Sequence, residues 1–194
     1  RSVSRGLGDV YKRQAITTNW CYPSTTEEFT GPKTGRAWAQ CQANRQLLYQ
    51  HAADYDFVIL SGHWAEILEQ EKLQGVIETI RVLALQTKVV IMPSPTLFLR
   101  SAVEHSVYRQ NNQWLQAAKR DAVAVEAHTR LKNSVEKYPS VLFVERATLF
   151  DDHNTTPHVT AEGFPFSLDG DHLSIYGAHH VAQTVDRATH GKPT

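Results

Sequence analysis

An aspartate and a histidine three residues apart, Asp169 and His172, are the side chains of this 194-residue chain best suited to do chemistry. A neutral histidine becomes a useful general base when its second ring nitrogen donates a hydrogen bond to a carboxylate, which fixes the tautomer and stabilises the imidazolium. A tight turn at Gly170 would let the carboxylate of Asp169 fold back toward the imidazole, with Asp171 as the N-cap of a following helix. The spacing alone equally fits a capped C-terminal helix with an incidental histidine.

The elements that must position this pair are predicted to form an α/β sheet. From Ala15 onward, short apolar runs alternate with longer helical patterns, which is typical of a parallel sheet with crossover helices in a single domain. We expect strands at 15–19, 56–60, 88–92 and 141–144, helices at 37–55, 65–86, 113–137 and 173–188, a helical turn at 147–150 and a small hairpin at 158–166. The second strand is continuously apolar, so we expect it to be buried on both faces.

Ligands of an open α/β sheet sit at the carboxyl ends of its strands, which here are residues 61–63, 93–95 and 145–147. Gly62 could bring a backbone N–H to a developing oxyanion, because a residue without Cβ permits close approach; the alternative is a plain turn glycine. His63 fits the substrate rim or a polar position next to a helix N-cap. Trp64 lies beside this site, although a tryptophan is more often a core residue. We assign all three to the oxyanion and substrate part of the site.

Composition excludes several functions. The formal net charge is zero and lysine and arginine are scattered, so neither nucleic acid nor an anionic membrane is an expected partner. No apolar run approaches the roughly 20 residues of a membrane span, and no signal peptide is visible. Cys21 and Cys41 can form a disulfide or remain thiols, and their spacing matches no zinc pattern. We expect no metal and no cofactor.

The run Phe166 to Ala178 resembles the last motif block of the SGNH hydrolase superfamily. More narrowly, it resembles the SGNH domain at the C-terminus of acyltransferase-3 membrane proteins, which O-acetylate bacterial surface glycans. Three weaker segments agree in the right order, namely Cys21 to Pro23, Asp56 to Trp64 and Val89 to Pro95. The resemblance spans Ile16 to Ala188 and implies a three-layer α/β/α domain with a mostly parallel, flavodoxin-like sheet.

The resemblance also implies roles. His172 would be the general base and Asp169 its orienting carboxylate in a Ser-His-Asp mechanism that moves an acetyl group from an acyl donor to a glycan acceptor. The parent chain would carry an acyltransferase-3 membrane domain, and this domain would be periplasmic on an inner-membrane protein. An oxidising compartment favours a disulfide between Cys21 and Cys41. The wider superfamily has a Gly and an Asn for the oxyanion, whereas Trp64 fits the acyltransferase-linked branch, which often has a tryptophan there.

The family's Gly-Asp-Ser nucleophile block is missing from the sequence. Asp9 to Gln14 back-translates to GAT GTG TAT AAG AGA CAG, the end of a transposase adapter used in sequencing libraries. We therefore expect residues 1–14 to be adapter-derived and residues 15–190 to be a partial SGNH domain without its first strand; a genuine disordered arm is the alternative. Three other hydroxyls lie near the strand ends or the final motif, but none has the context of an activated nucleophile: Ser61, Ser94 and Ser167.

Two further functions remain open on the same fold. A free-standing esterase or lipase would use water in place of the sugar hydroxyl. A glycan-binding module without catalysis would have lost the serine, and because fold does not imply function, the site must decide between them.

Overall fold

The computed structural model describes Ile16 and residues 20–93, 118–119, 122–145, 155–156, 162–168 and 173–190. The elements in chain order are α1 (Arg36–His51), a 3-10 turn (Ala52–Asp54), β1 (Phe57–Leu60), α2 (Trp64–Glu69), α3 (Leu73–Ala84), β2 (Lys88–Ile91), β3 (Ala118–Lys119), α4 (Ala122–Val135), β4 (Val141–Phe143), β5 (Thr155–Thr156) and α5 (Ile175–His190). No helix among the described residues is long and apolar enough to cross a membrane.

Strands β1, β2 and β4 form a parallel sheet in that order, with Leu60 beside Ile91 and Ile91 beside Phe143. Side chains alternate between the two faces of a strand, so each strand contributes to two cores. On one face Val89 and Ile91 pack with α3 and α4; on the other, Val90 packs with α5. The α/β prediction with a parallel sheet is therefore confirmed, with helices on both faces.

Helix α3 shows why the first of these cores forms. Its apolar side chains recur at helical spacing and make one stripe, all of it buried against the sheet: Leu73, Val76, Ile77, Ile80 and Leu83. Burying one such side chain is worth about 1.5–3 kcal/mol relative to exposing it. On the same helix the buried hydroxyl of Thr79 donates to Gly75 and shares a hydrogen bond with Tyr49 of α1, 2.7 Å between oxygens, which joins the two helices.

The expectation that β1 is buried on both faces is wrong, because Ile59 is 54% exposed. Val58 and Leu60 face the α3 side and are buried. The core on the opposite face is centred on β2 and the residue after β4, through Val90 and Val144, and Ile59 does not belong to it.

The predicted helix at 65–86 is two helices. Helix α2 ends in a Schellman motif, in which the N–H of Glu71 donates to Leu68 and the N–H of Lys72 donates to Ile67, both at 2.9 Å. Glu71 adopts φ 58°, a left-handed conformation that glycine usually supplies. A helix end without glycine or proline gives no local sign in the sequence.

The predicted helix at 113–137 is also too long. Helix α4 begins at Ala122, and Ala118–Lys119 instead pairs antiparallel with Thr155–Thr156. Pairing with a strand far along the chain cannot be predicted from the helical spacing of apolar residues around Ala118. The first strand predicted at 15–19, apart from Ile16, and the turn at 147–150 lie outside the described residues, as do residues 158–161 of the hairpin predicted at 158–166.

Candidate active site

Asp169 and His172 lie outside the described residues, but the chain on both sides of them is described. Ser167 and Leu173 form an isolated antiparallel bridge. The N–H of Ser174 also donates to the carbonyl of Phe166, at 2.7 Å. The backbone therefore closes on itself directly before and directly after the segment that contains the pair.

Ser174 caps the N-terminus of the helix that follows. Its hydroxyl accepts a hydrogen bond from the N–H of Gly177 at 3.0 Å and donates to the carbonyl of Pro165 at 2.5 Å. The first bond satisfies a helix donor that has no partner within the helix. The N-cap is therefore Ser174, not Asp171 as expected, and α5 begins at Ile175 because the capping hydroxyl stands there.

Gly177 allows α5 to approach the segment before the bridge. A Cβ at this position would lie 2.7 Å from the carbonyl oxygen of Phe166, so only glycine fits without a shift. At the residue before Gly177, the ring of Tyr176 stacks on that of Phe164, with 4.1 Å between centroids and an interplanar angle of 9°. The chain at residues 164–167 and the start of α5 are thus joined by backbone, hydroxyl and ring contacts.

Phe166 anchors this assembly to the sheet. Its side chain is buried and belongs to the core that contains Val90, Met92 and Val144. The last two follow β2 and β4 directly, at the carboxyl ends of these strands. Phe166, three residues before Asp169 in the chain, is consequently held at the edge of the sheet where α/β proteins bind ligands.

The end of β1 reaches the same edge. The carbonyl of Leu60 accepts from the N–H of Met92 at 2.9 Å, which continues the β1–β2 ladder past β2. Ser61 and His63 are exposed and Gly62 is half-buried. His63 occupies the N-cap position of α2 without a side-chain capping bond, so its imidazole remains at the surface.

Trp64 does not lie on the substrate surface, contrary to its assignment from the sequence. Its side chain is fully buried, and its indole N–H donates to the carbonyl of Met92 at 2.7 Å. The indole faces Gly62, where a Cβ would meet two atoms of the six-membered ring at 3.1 Å. The absence of a Cβ at Gly62 therefore makes room for the ring of Trp64.

The end of β4 carries an ionic cluster that sequence reasoning did not find. Glu145 contacts His128 at 3.1 Å and pairs with Lys132, both from α4. Burial alone would raise the pKa of Glu145, but the hydrogen bonds from Lys132 and His128 outweigh it and hold this pKa below its ordinary value. Glu145 lies 13 positions from Lys132 and 17 from His128, a spacing that forms no motif. Only the packing of α4 on the sheet therefore reveals the cluster.

A disulfide joins Cys21 and Cys41, with 5.4 Å between their Cα atoms. It ties the loop before α1 to the helix, and buried Arg45 strengthens the same connection by donating to the carbonyls of Tyr22 and Thr26. Burial lowers the pKa of Arg45, but the guanidinium remains the donor of these bonds.

The other hydroxyls considered as nucleophiles occupy different environments. Ser61 is exposed at the end of β1, Ser167 is buried, and Ser94 lies outside the described residues. Within the part of the chain that the structure describes, no group of three or more histidine, cysteine, aspartate or glutamate side chains could hold a metal ion.

A parallel sheet with helices on both faces defines a class of α/β domain that binds ligands at the carboxyl edge of its sheet. The family described as "SGNH domain (fused to AT3 domains)" matches residues 6–187, and the chain belongs to this family. It is therefore an acyltransferase-associated SGNH module, of a family with esterase or acyltransferase-type activity. No curated protein and no solved structure gives a significant match.

Proposed function

We propose that this chain is the SGNH module of a bacterial surface-glycan O-acetyltransferase, in which His172 is the general base and Asp169 orients it. The observation that carries the proposal is the anchoring of the chain on either side of these two residues. Phe166 packs at the carboxyl edge of the sheet, Ser167 pairs with Leu173, and Ser174 caps the following helix. The family match supports acyl transfer as the chemistry.

The proposed reaction has two halves. In the first, a serine of the family's Gly-Asp-Ser block, which the printed sequence lacks, attacks the acyl carbonyl while His172 takes its proton. The N–H of Gly62 donates to the oxyanion that forms. Collapse of this intermediate breaks the bond to the donor group, which leaves with the proton from His172. The acetyl group is then an ester of the serine.

In the second half, a saccharide hydroxyl gives its proton to His172 and attacks the acetyl-serine. Collapse releases the acetylated sugar, and the proton returns from His172 to the serine oxygen. The module would act in the periplasm beside an acyltransferase-3 membrane domain, and the disulfide between Cys21 and Cys41 supports an oxidising compartment. Water in place of the sugar gives the esterase alternative.

The test uses a version of the chain extended at its N-terminus by a segment that contains the Gly-Asp-Ser block, and it follows the acetyl group. Isotope-labelled acetyl ester is added, and intact-mass spectrometry detects the acetyl-enzyme. We expect acetylation of the serine and faster loss of the label when a saccharide acceptor is present, with label recovered on the sugar. Recovery only as free acetate would favour the esterase. No acetyl-enzyme in a folded protein that still binds the saccharide would favour the glycan-binding module and contradict catalysis.

A further inference from the structure

The indole of Trp64 connects the ends of two strands at the proposed site. Its N–H donates to the carbonyl of Met92, the residue that follows β2, at 2.7 Å. The far side of its ring lies against Gly62, the second residue after β1. One side chain therefore fixes two backbone positions at the carboxyl edge of the sheet.

The two contacts together require an indole. A phenyl ring in the same place has no donor for Met92, and it is too short to place atoms where Cη2 and Cζ3 of Trp64 approach Gly62. The donor bond is buried, so its loss would leave the Met92 carbonyl without this partner in a region that excludes water. The side chain is fully buried and cannot touch a substrate, so any effect on chemistry must act through the backbone.

We infer that Trp64 is the positioning residue of the oxyanion site: it holds the Gly62 backbone where its N–H meets the developing negative charge. This inference rests on the function proposed above. Donors preorganised at the oxyanion position act without reorganisation during the reaction, and removal of one such donor lowers kcat by about 10²–10³-fold. A donor that is displaced but still present should lose a smaller part of that factor.

The experiment uses the full-length transferase with its nucleophile and the probe 4-nitrophenyl acetate. We expect Trp64→Phe to lower kcat about 10-fold and to change KM less than about 2-fold, since the oxyanion exists only in the transition state. Gly62→Ala should lower kcat at least as much, because its Cβ would meet the indole at 3.1 Å. In the double variant, phenylalanine at position 64 lacks the ring atoms that the new Cβ at position 62 would meet. The kcat of the double variant should therefore lie within about 2-fold of that of Trp64→Phe.

A second replacement removes the donor alone. Benzothienyl-alanine at position 64 keeps the ring shape over Gly62 and exchanges the indole N–H for sulfur. We expect a folded enzyme with kcat several-fold lower and an unchanged KM. The matched control is Ile80→Val, a change in the same buried core at a residue of α3. At a loss of thermal stability equal to that of the position-64 variants, it should leave kcat unchanged.

The outcomes separate the inference from the proposed function. Unchanged kcat in both position-64 variants, or an equal loss of kcat in Ile80→Val, overturns the positioning role while His172→Ala still abolishes turnover. A loss of kcat in the double variant equal to the product of the losses in Trp64→Phe and Gly62→Ala also overturns the positioning role. That result would mean that the two sites act independently, since independent effects add in free energy. Full turnover by His172→Ala instead overturns the proposed function itself, and with it the inference.

Discussion

Ser167 and Leu173 pair as an antiparallel bridge across the segment that contains Asp169 and His172. The bridge fixes the two ends of this segment, and the N–H of Ser174 reinforces it by donating to Phe166. A catalytic histidine has to be held within a fraction of an ångström of its working position, so rigid flanks are a requirement of the proposed chemistry. The first two predictions test these flanks.

Replacement of Ser174 by alanine should destabilise the protein by about 1–2 kcal/mol, because α5 loses its N-cap and the Pro165 carbonyl loses its donor. Urea unfolding followed by far-UV circular dichroism measures the change. Ser174→Thr keeps the hydroxyl and should recover most of the loss. Thr184→Ala is the matched control, since it removes a hydroxyl bonded to His180 within the same helix; an equal loss there would contradict a special role for the cap.

Gly177→Ala should also destabilise the protein, although alanine is the better helix former by about 1 kcal/mol. The added Cβ would lie 2.7 Å from the backbone oxygen of Phe166, which cannot move without breaking its bond to Ser174. The expected net loss is about 1–3 kcal/mol. Increased stability of the variant in the same urea assay would show that the helix start has room to shift.

Much of the fold could be predicted from hydropathy alone. The strands found at Phe57–Leu60 and Lys88–Ile91 lie within one residue of the predicted runs, because each strand is a short apolar run between polar segments. The break between α2 and α3 could not be predicted, since Glu71 takes a conformation that its side chain does not favour. The exposure of Ile59 depends on which elements cover that face, and no local pattern encodes this.

The site was predictable to a different extent. The spacing of Asp169 and His172 predicts a candidate segment, whereas the contacts that hold its flanking residues are tertiary and could not be predicted from the sequence. Whether Trp64 touches substrate or supports Gly62 depends on the bond to Met92, 28 residues away. The alternative stated from the sequence, a core tryptophan, is the arrangement found. Long-range packing decides such roles, and residue type alone does not.

Reduction of the Cys21–Cys41 disulfide should lower the free energy of unfolding by about 3 kcal/mol, the value expected for closing a loop of this length in the unfolded chain. Unfolding in urea with and without dithiothreitol measures the loss. The double variant Cys21→Ser, Cys41→Ala should match the reduced protein and should not respond to dithiothreitol. Equal stability of the oxidised and reduced proteins would show that Arg45 alone holds this loop.

The lowered pKa of Glu145 predicts an acid-sensitive contribution to stability. Folding favours the charged carboxylate, so this contribution is complete above the ordinary value of 4.5 and disappears as the pH falls through the lowered pKa. The stability difference between wild type and Glu145→Gln should therefore shrink between about pH 6 and about pH 3. Lys132→Gln should reproduce part of the loss at neutral pH only. A difference that is constant with pH would contradict the lowered pKa.

The most direct test of the proposed role of His172 is the hydrolysis of 4-nitrophenyl acetate by three proteins: the printed chain, the version extended through a Gly-Asp-Ser strand, and the extended version with His172→Ala. We expect turnover by the extended version alone, and a loss on the order of 10⁴-fold or more on removal of the histidine. The printed chain has no Gly-Asp-Ser and should remain at background. Turnover by the extended version that persists after His172→Ala would contradict the role of the histidine. Turnover by the 194-residue chain that is lost in its own His172→Ala variant would contradict the role of the Gly-Asp-Ser serine.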